Sequence, residues 1–132
     1  MQESQLQRLV GVMDTLRSPG GCPWDAEQTH ESLLKYLLEE SYEFVDAVQS
    51  GNRIDMREEL GDVLLQVYFH ARMAQDHPTD PFSIEDVARG IADKLIRRHP
   101  HVFEGVEVRD SQEVLENWEE IKKKEKGRTS PL

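Results

Sequence analysis

Two acidic pairs lie inside segments whose apolar residues recur at helical spacing: Glu40 and Glu43 in Leu38-Glu39-Glu40-Ser41-Tyr42-Glu43, and Glu59 and Asp62 in Glu58-Glu59-Leu60-Gly61-Asp62. Residues three apart share a face of an α-helix, so each pair sets two carboxylates side by side. The pairs flank Gly51 almost symmetrically. A turn at that point folds the two segments into an antiparallel hairpin and brings all four acids to one level. Four carboxylates at the edge of an apolar core repel one another unless they are protonated or neutralised by a cation. An all-oxygen donor set of this kind suits a hard ion, Mg²⁺ or Mn²⁺.

One Glu-x-x-Glu motif alone reads as a solvated acidic face, since 32% of the residues are charged. Repetition on consecutive amphipathic segments favours a metal site, because Glu40 falls between Leu37 and Phe44 on the helical wheel and Glu59 lies four residues before Val63. A ferritin-like di-iron site needs two Glu-x-x-His motifs on separate helices, and only Glu27-Gln28-Thr29-His30 has that form. Nucleophilic catalysis is disfavoured, because no histidine is placed by sequence pattern to activate Cys22 or a serine.

The periodicity predicts an all-α chain. Leu6, Leu9, Val10, Met13 and Leu16 mark a first helix closed by Ser18-Pro19-Gly20-Gly21, and Cys22-Pro23-Trp24-Asp25 follows as a loop. Asp25 with Gln28 is expected to cap a short turn. Leu34, Leu37, Ser41, Phe44 and Val48 mark one face of a second helix ending at Gly51. Asp55 with Glu58 forms a capping-box pattern ahead of a third, with inner face Met56, Leu60, Val63, Leu64, Val67 and Ala71, ended by His77-Pro78. Ser83 with Asp86 resembles another cap, before a helix carrying Ile84, Val87, Ala88, Ile91 and Leu95 that finishes ahead of Pro100. A final helix from about Ser111 buries Val114, Leu115, Trp118 and Ile121, and the polar run Lys122 to Pro131 is expected to fray.

A chain of 132 residues supports one compact core, giving a domain over residues 1–126 and a polar C-terminal tail over 127–132. A net charge of −10 argues against nucleic acid or an anionic membrane as partner. A phosphorylated ligand stays open, because a bound cation reverses the local sign. Cys22 is the single cysteine, which excludes an intrachain disulfide and fits a reducing cytoplasm; no apolar run is long enough for a membrane span.

The acidic pattern, together with Gly21-Cys22-Pro23-Trp24-Asp25, Glu27-Gln28-Thr29, Asp93-Lys94-Leu95, Arg97-Arg98-His99-Pro100-His101-Val102-Phe103 and Trp118-Glu119-x-Ile121-Lys122, resembles the MazG-type nucleoside triphosphate pyrophosphohydrolases from about Leu6 to Glu125. The acidic pairs alone are shared with other all-α pyrophosphohydrolases; the Cys-Pro-Trp-Asp and Arg-Arg-His-Pro-His-Val-Phe segments make the likeness specific. The resemblance implies a MazG-like helical bundle built on the hairpin and associating as a homodimer or higher homo-oligomer. It implies hydrolysis of a nucleoside triphosphate to the monophosphate and pyrophosphate, serving control of the nucleotide pool. Mg²⁺, or Mn²⁺, is then held by Glu40, Glu43, Glu59 and Asp62, with Glu39 accepting the proton of the attacking water. By the same resemblance Lys94, Arg98 and Lys122 grip phosphate; Trp118, four residues before Lys122, can set an indole beside the nucleotide, and Trp24 can stack a base in the same way.

Each of these has a plainer alternative. The basic residues also suit helix C-termini, the reading preferred for Arg97, and the indoles also suit packing. His99 and His101, flanking Pro100, are read as anchors of a helix end rather than metal ligands. Two other functions stay open: a noncatalytic helical dimerisation or nucleotide-binding module, forming one half of a two-domain protein, and a dUTPase-like enzyme of related chemistry.

Overall fold

A computed structural model describes residues 3–129. The described elements are all helical: α1 (Gln5–Arg17), α2 (Pro23–Glu27), α3 (His30–Ser50), α4 (Arg53–Ala74), α5 (Ile84–Arg98), α6 (Pro100–Phe103) and α7 (Ser111–Thr129). They divide between two compact units, one ending at Ile84 and the other beginning at Glu85.

In the first unit α3 and α4 form the expected hairpin. Gly51 takes φ 74°, a left-handed conformation that glycine adopts without a Cβ penalty, and ends α3. Asn52 then starts α4, its Oδ1 accepting from the amides of Ile54 at 3.0 Å and Asp55 at 3.2 Å. Asp55 is therefore inside the first turn, where its charge suits the helix dipole, and the Asp55–Glu58 box is replaced by an Asn cap. The cap expected from Asp25 and Gln28 also moves. Pro23, with its preset φ, begins α2 directly after Cys22; Asp25 is internal to it and Gln28 ends it. Thr29 and Ser32 form the reciprocal capping box of α3.

The core is Met13, Leu33, Tyr68, Phe69 and Met73, edged by Leu9, Val10, Tyr36, Leu64, Leu65 and Ile84. Leu33 and Ala47 are fully buried on α3, with Tyr36, Leu37, Glu40 and Phe44 half-buried between them. The inner face is thus rotated from the expected one: Leu34 and Val48 are exposed, as are Leu60 and Val67 on α4. Apolar residues surround much of α3, so periodicity offered two stripes, and contact with α4 selected the one containing Glu40.

Two side-chain links reinforce the hairpin and its cover. His30 Nδ1 meets His70 Nδ1 at 2.7 Å, with the rings stacked, far down α3 and α4 from the turn. Arg72 on α4 pairs with Asp14 of α1 and with Asp76, each at 3.1 Å. The turn after α1 needs Gly21, where a Cβ would lie 2.2 Å from the Thr15 carbonyl oxygen.

In the second unit α5 stops at Arg98 as expected, and Pro100 opens the additional short helix α6. Val87, Ile91 and Leu95 are exposed, and Leu115 on α7, expected to be buried, is exposed as well. The run expected to fray remains helical to Thr129, while residues 130–132 of the polar tail lie outside the described residues. The physical reason is a cross-link: Glu125 of α7 accepts from both Arg97 and Arg98 of α5.

Met13→Ala or Leu33→Ala, each at a site 1% exposed, should cost about 2–5 kcal/mol in urea unfolding. A second outcome concerns His70, whose pKa is held below the ordinary imidazole value by burial and then by His30. The unfolded chain takes up this proton at higher pH than the folded one, so the folded advantage is complete above the ordinary imidazole range and is lost as pH falls below it. Between roughly pH 7.5 and 5.5, His70→Phe should show a flatter fall in melting temperature than the parent chain; identical slopes would contradict this assignment.

Candidate metal centre

Glu40 belongs to the buried stripe of α3, and Glu59 and Asp62 sit one turn apart on the facing side of α4. The hairpin joins them: one ligand oxygen from each of Glu40, Glu59 and Asp62 lies within 4.8 Å of the other two. All three residues are half-buried. Partial desolvation, followed by the charge of Asp62, then Glu43 and Glu39, raises the pKa of Glu40 above the usual carboxylate value. Glu59 is raised as well, by desolvation and then by Asp62, Glu43, Glu40 and Glu58.

Both shifts come from desolvation first and from the charge of neighbouring carboxylates second. Oxygen donors in this spacing, at the margin of an apolar core, fit a hard divalent cation. Glu43 is exposed and stands outside the mutually close trio, yet its charge acts on both Glu40 and Glu59. Glu39 is also exposed and acts on Glu40. Trp24, 48% exposed, sets its ring edge-on to Tyr36 at 5.8 Å. Tyr36 lies one turn before Glu40 on α3, so the Cys-Pro-Trp-Asp segment packs beside the acidic helix. Arg17 fastens the segment after it, donating from Nη1 to the carbonyl oxygens of Asp25 at 2.6 Å and Gln28 at 3.3 Å.

The second unit gathers the expected basic and aromatic residues on two helices. Lys94 and Arg98 are one turn apart on α5, while Trp118 and Lys122 are one turn apart on α7. The Arg98 guanidinium lies 5.4 Å from the Trp118 ring centroid, and His99 meets the same indole edge-on at 5.0 Å. Lys94 is exposed, and Lys122 is loosely paired with Glu119 at 4.0 Å. His99 Nδ1 donates to the Leu95 carbonyl at 2.6 Å, which is the helix-end anchoring role. Periodicity did not reveal two features: the His30–His70 pair and Glu125. The available signal for Glu125 was its register, since Trp118, Lys122 and Glu125 fall at intervals of four and three on one face of α7.

Removing one acid without changing shape tests the crowding. Asp62→Asn should raise the melting temperature of the metal-free protein near neutral pH and abolish the further rise produced by Mg²⁺ in the parent chain. A lower melting temperature without metal, or an undiminished response to Mg²⁺, would contradict the arrangement.

The chain is 53% identical over 123 residues to the nucleoside triphosphate pyrophosphohydrolase/pyrophosphatase MazG of Thermotoga maritima, covering 92% of this chain and 46% of that protein. It is 56% identical over 117 residues to a nucleoside triphosphate pyrophosphohydrolase of Mycolicibacterium smegmatis (89% of this chain, 35% of that one). The Escherichia coli K12 protein of that name is 47% identical over 125 residues, covering 94% of this chain and 47% of its own. The chain thus spans half or less of these curated relatives' length. The crystal structure of a mazG-related protein from Thermotoga maritima superposes with a TM-score of 0.72 at 28% identity, covering 89% of this chain and 98% of the other. Residues 28–103, which hold the whole acidic cluster and its hairpin, match the MazG nucleotide pyrophosphohydrolase domain, and the chain belongs to that family.

Proposed function

We propose that this chain hydrolyses nucleoside triphosphates to the monophosphate and pyrophosphate, with Mg²⁺ required and Mn²⁺ able to replace it. The observation that carries this reading is the trio Glu40, Glu59 and Asp62, crowded within 4.8 Å on a MazG hairpin. Three relatives covering most of the chain bear the pyrophosphohydrolase name.

Glu40, Glu59 and Asp62 hold the cation, with Glu43 adding a ligand or negative charge at its margin. When bound, the cation offsets charge developing on the phosphates and makes the attacking water more acidic. Glu39 is assigned to accept that water's proton. Lys94, Arg98 and Lys122 supply positive charge to phosphate oxygens, and Trp24 and Trp118 offer flat surfaces to the nucleoside. The acidic residues carry no base preference, so the assigned class is a nucleoside triphosphate. In the cell the activity would serve control of the nucleotide pool in the cytoplasm.

The working form is assigned as a homodimer. Leu34, Leu38, Tyr42 and Val45 form an exposed stripe on α3, from 45% to 69% accessible, which a second copy would cover. Leu38→Glu should reduce the molar mass measured by light scattering to that of one chain if this stripe is the interface; an unchanged mass would remove it from the interface.

The activity test is pyrophosphate release across a panel of ribo- and deoxyribonucleoside triphosphates, with and without Mg²⁺. Turnover should vanish on chelation and fall on the order of 100-fold or more in Glu40→Ala and Asp62→Ala. Metal-independent turnover, or unimpaired variants, would defeat the site. Folded protein without hydrolysis of any triphosphate would favour a noncatalytic module.

A further inference from the structure

Glu125 is the polar hub of the second unit. One carboxylate oxygen accepts from Arg97 Nε; the other accepts from Arg98 Nη2 at 2.7 Å and Nε at 3.3 Å. Arg98 and Glu125 are well shielded, with side chains 16% and 17% accessible, whereas Arg97 is 46% accessible. The two arginines hold the Glu125 carboxyl at a pKa of about 2, so it remains ionised throughout the neutral range.

The guanidinium of Arg98 is constrained in two directions. Glu125 takes its Nε/Nη2 edge, and the Trp118 ring lies against it at 5.4 Å. Trp118 is itself braced by the edge of His99. An arginine side chain loses substantial rotamer freedom when it binds an anion, and a planar fork already fixed by neighbours has less to lose. The Nη1 side of the fork lies outside the carboxylate pairing. Arg97, holding the opposite oxygen of Glu125, keeps the carboxylate from following Arg98.

We propose that Glu125 is a positioning residue for Arg98: its carboxylate, with Trp118 alongside, fixes the guanidinium so that the remaining edge meets a phosphate oxygen of the nucleoside triphosphate. The inference rests on the assignment of Arg98 as a phosphate-binding group and adds the residue through which that group is preorganised. Glu125 itself touches no substrate. It lies 27 residues from Arg98 in sequence, and only the pairing of α5 with α7 brings the two together.

A double-mutant cycle on the whole chain tests this, with steady-state hydrolysis of one nucleoside triphosphate at saturating Mg²⁺ as the readout. Arg98→Ala should raise KM strongly. Glu125→Ala should raise KM about tenfold, the order seen when the partner orienting a binding group is removed, with a smaller change in kcat. In the Arg98→Ala background, Glu125→Ala should add less than about twofold, because its effect passes through Arg98. Glu125→Gln should recover part of the loss, since its carbonyl oxygen still accepts from Arg98. Arg97→Ala should raise KM less than Glu125→Ala does, because it loosens the carboxylate from one side while the Arg98 hydrogen bonds remain.

An unchanged or lower KM in Glu125→Ala, with Arg98→Ala impaired, would overturn the inference and mark the carboxylate as neutral or as a competitor for Arg98. Full additivity in the double variant would overturn it too, assigning Glu125 a purely structural role. Unchanged kinetics in Arg98→Ala, with Asp62→Ala still inactive, would instead refute the phosphate role of Arg98 and the inference with it, leaving the metal centre standing. Circular dichroism accompanies each variant; if Glu125→Ala loses helix, the same criteria apply to Glu125→Gln.

Discussion

Mutual repulsion among carboxylates on α3 and α4 is the constraint around which the rest of this molecule is arranged. A helix hairpin is stabilised by burying apolar side chains, and an acid in the buried stripe opposes that gain. Here Glu40 occupies the stripe that also carries Leu33, Leu37, Phe44 and Ala47. The short Gly51–Asn52 connection then sets it beside Glu59 and Asp62. Such a placement sets like charges together at the margin of the core, a cost that a bound cation would relieve.

The supporting structure serves that placement. Core residues from α1, α3 and α4 fix the rotation of α3, and it is this rotation that turns Glu40 inward while leaving Leu34 and Val48 outside. Asn52 and Thr29 start the two long helices with side-chain caps, and the His30–His70 contact joins their distant ends. Arg17 fastens α2, the short helix that carries Trp24. The second unit obeys another logic: opposite charges and an indole are gathered into one cluster, in which Arg97, Arg98 and Glu125 tie the end of α5 to α7.

Legibility in the sequence followed the range of the interaction. Helix class and the acidic register depend on spacings of three and four residues, so Glu40, Glu59 and Asp62 could be placed from sequence alone. The turn at Gly51 was readable because a left-handed helix end favours glycine. The inner faces were harder. Leu34 and Leu60 are as apolar as the residues that were buried in their place, and tertiary contacts decided between them. The starts of α2 and α4 were displaced because several capping residues compete within a few positions, as Asn52 does with Asp55. Glu125 was hidden by distance in the chain: in a lysine- and glutamate-rich run nothing local marks the one carboxylate that two arginines will hold. That same long-range pairing explains why the run is helical to Thr129 rather than frayed.

Direct observation of the ion at the hairpin is the decisive measurement. Mn²⁺ binding, followed by electron paramagnetic resonance in the parent chain and in Glu40→Gln, should show tight occupancy in the parent, tightened further by a nucleoside triphosphate analogue that resists hydrolysis, and marked weakening in the variant. Equal Mn²⁺ affinity in the two proteins, with no response to the analogue, would contradict a cation centre built from these carboxylates.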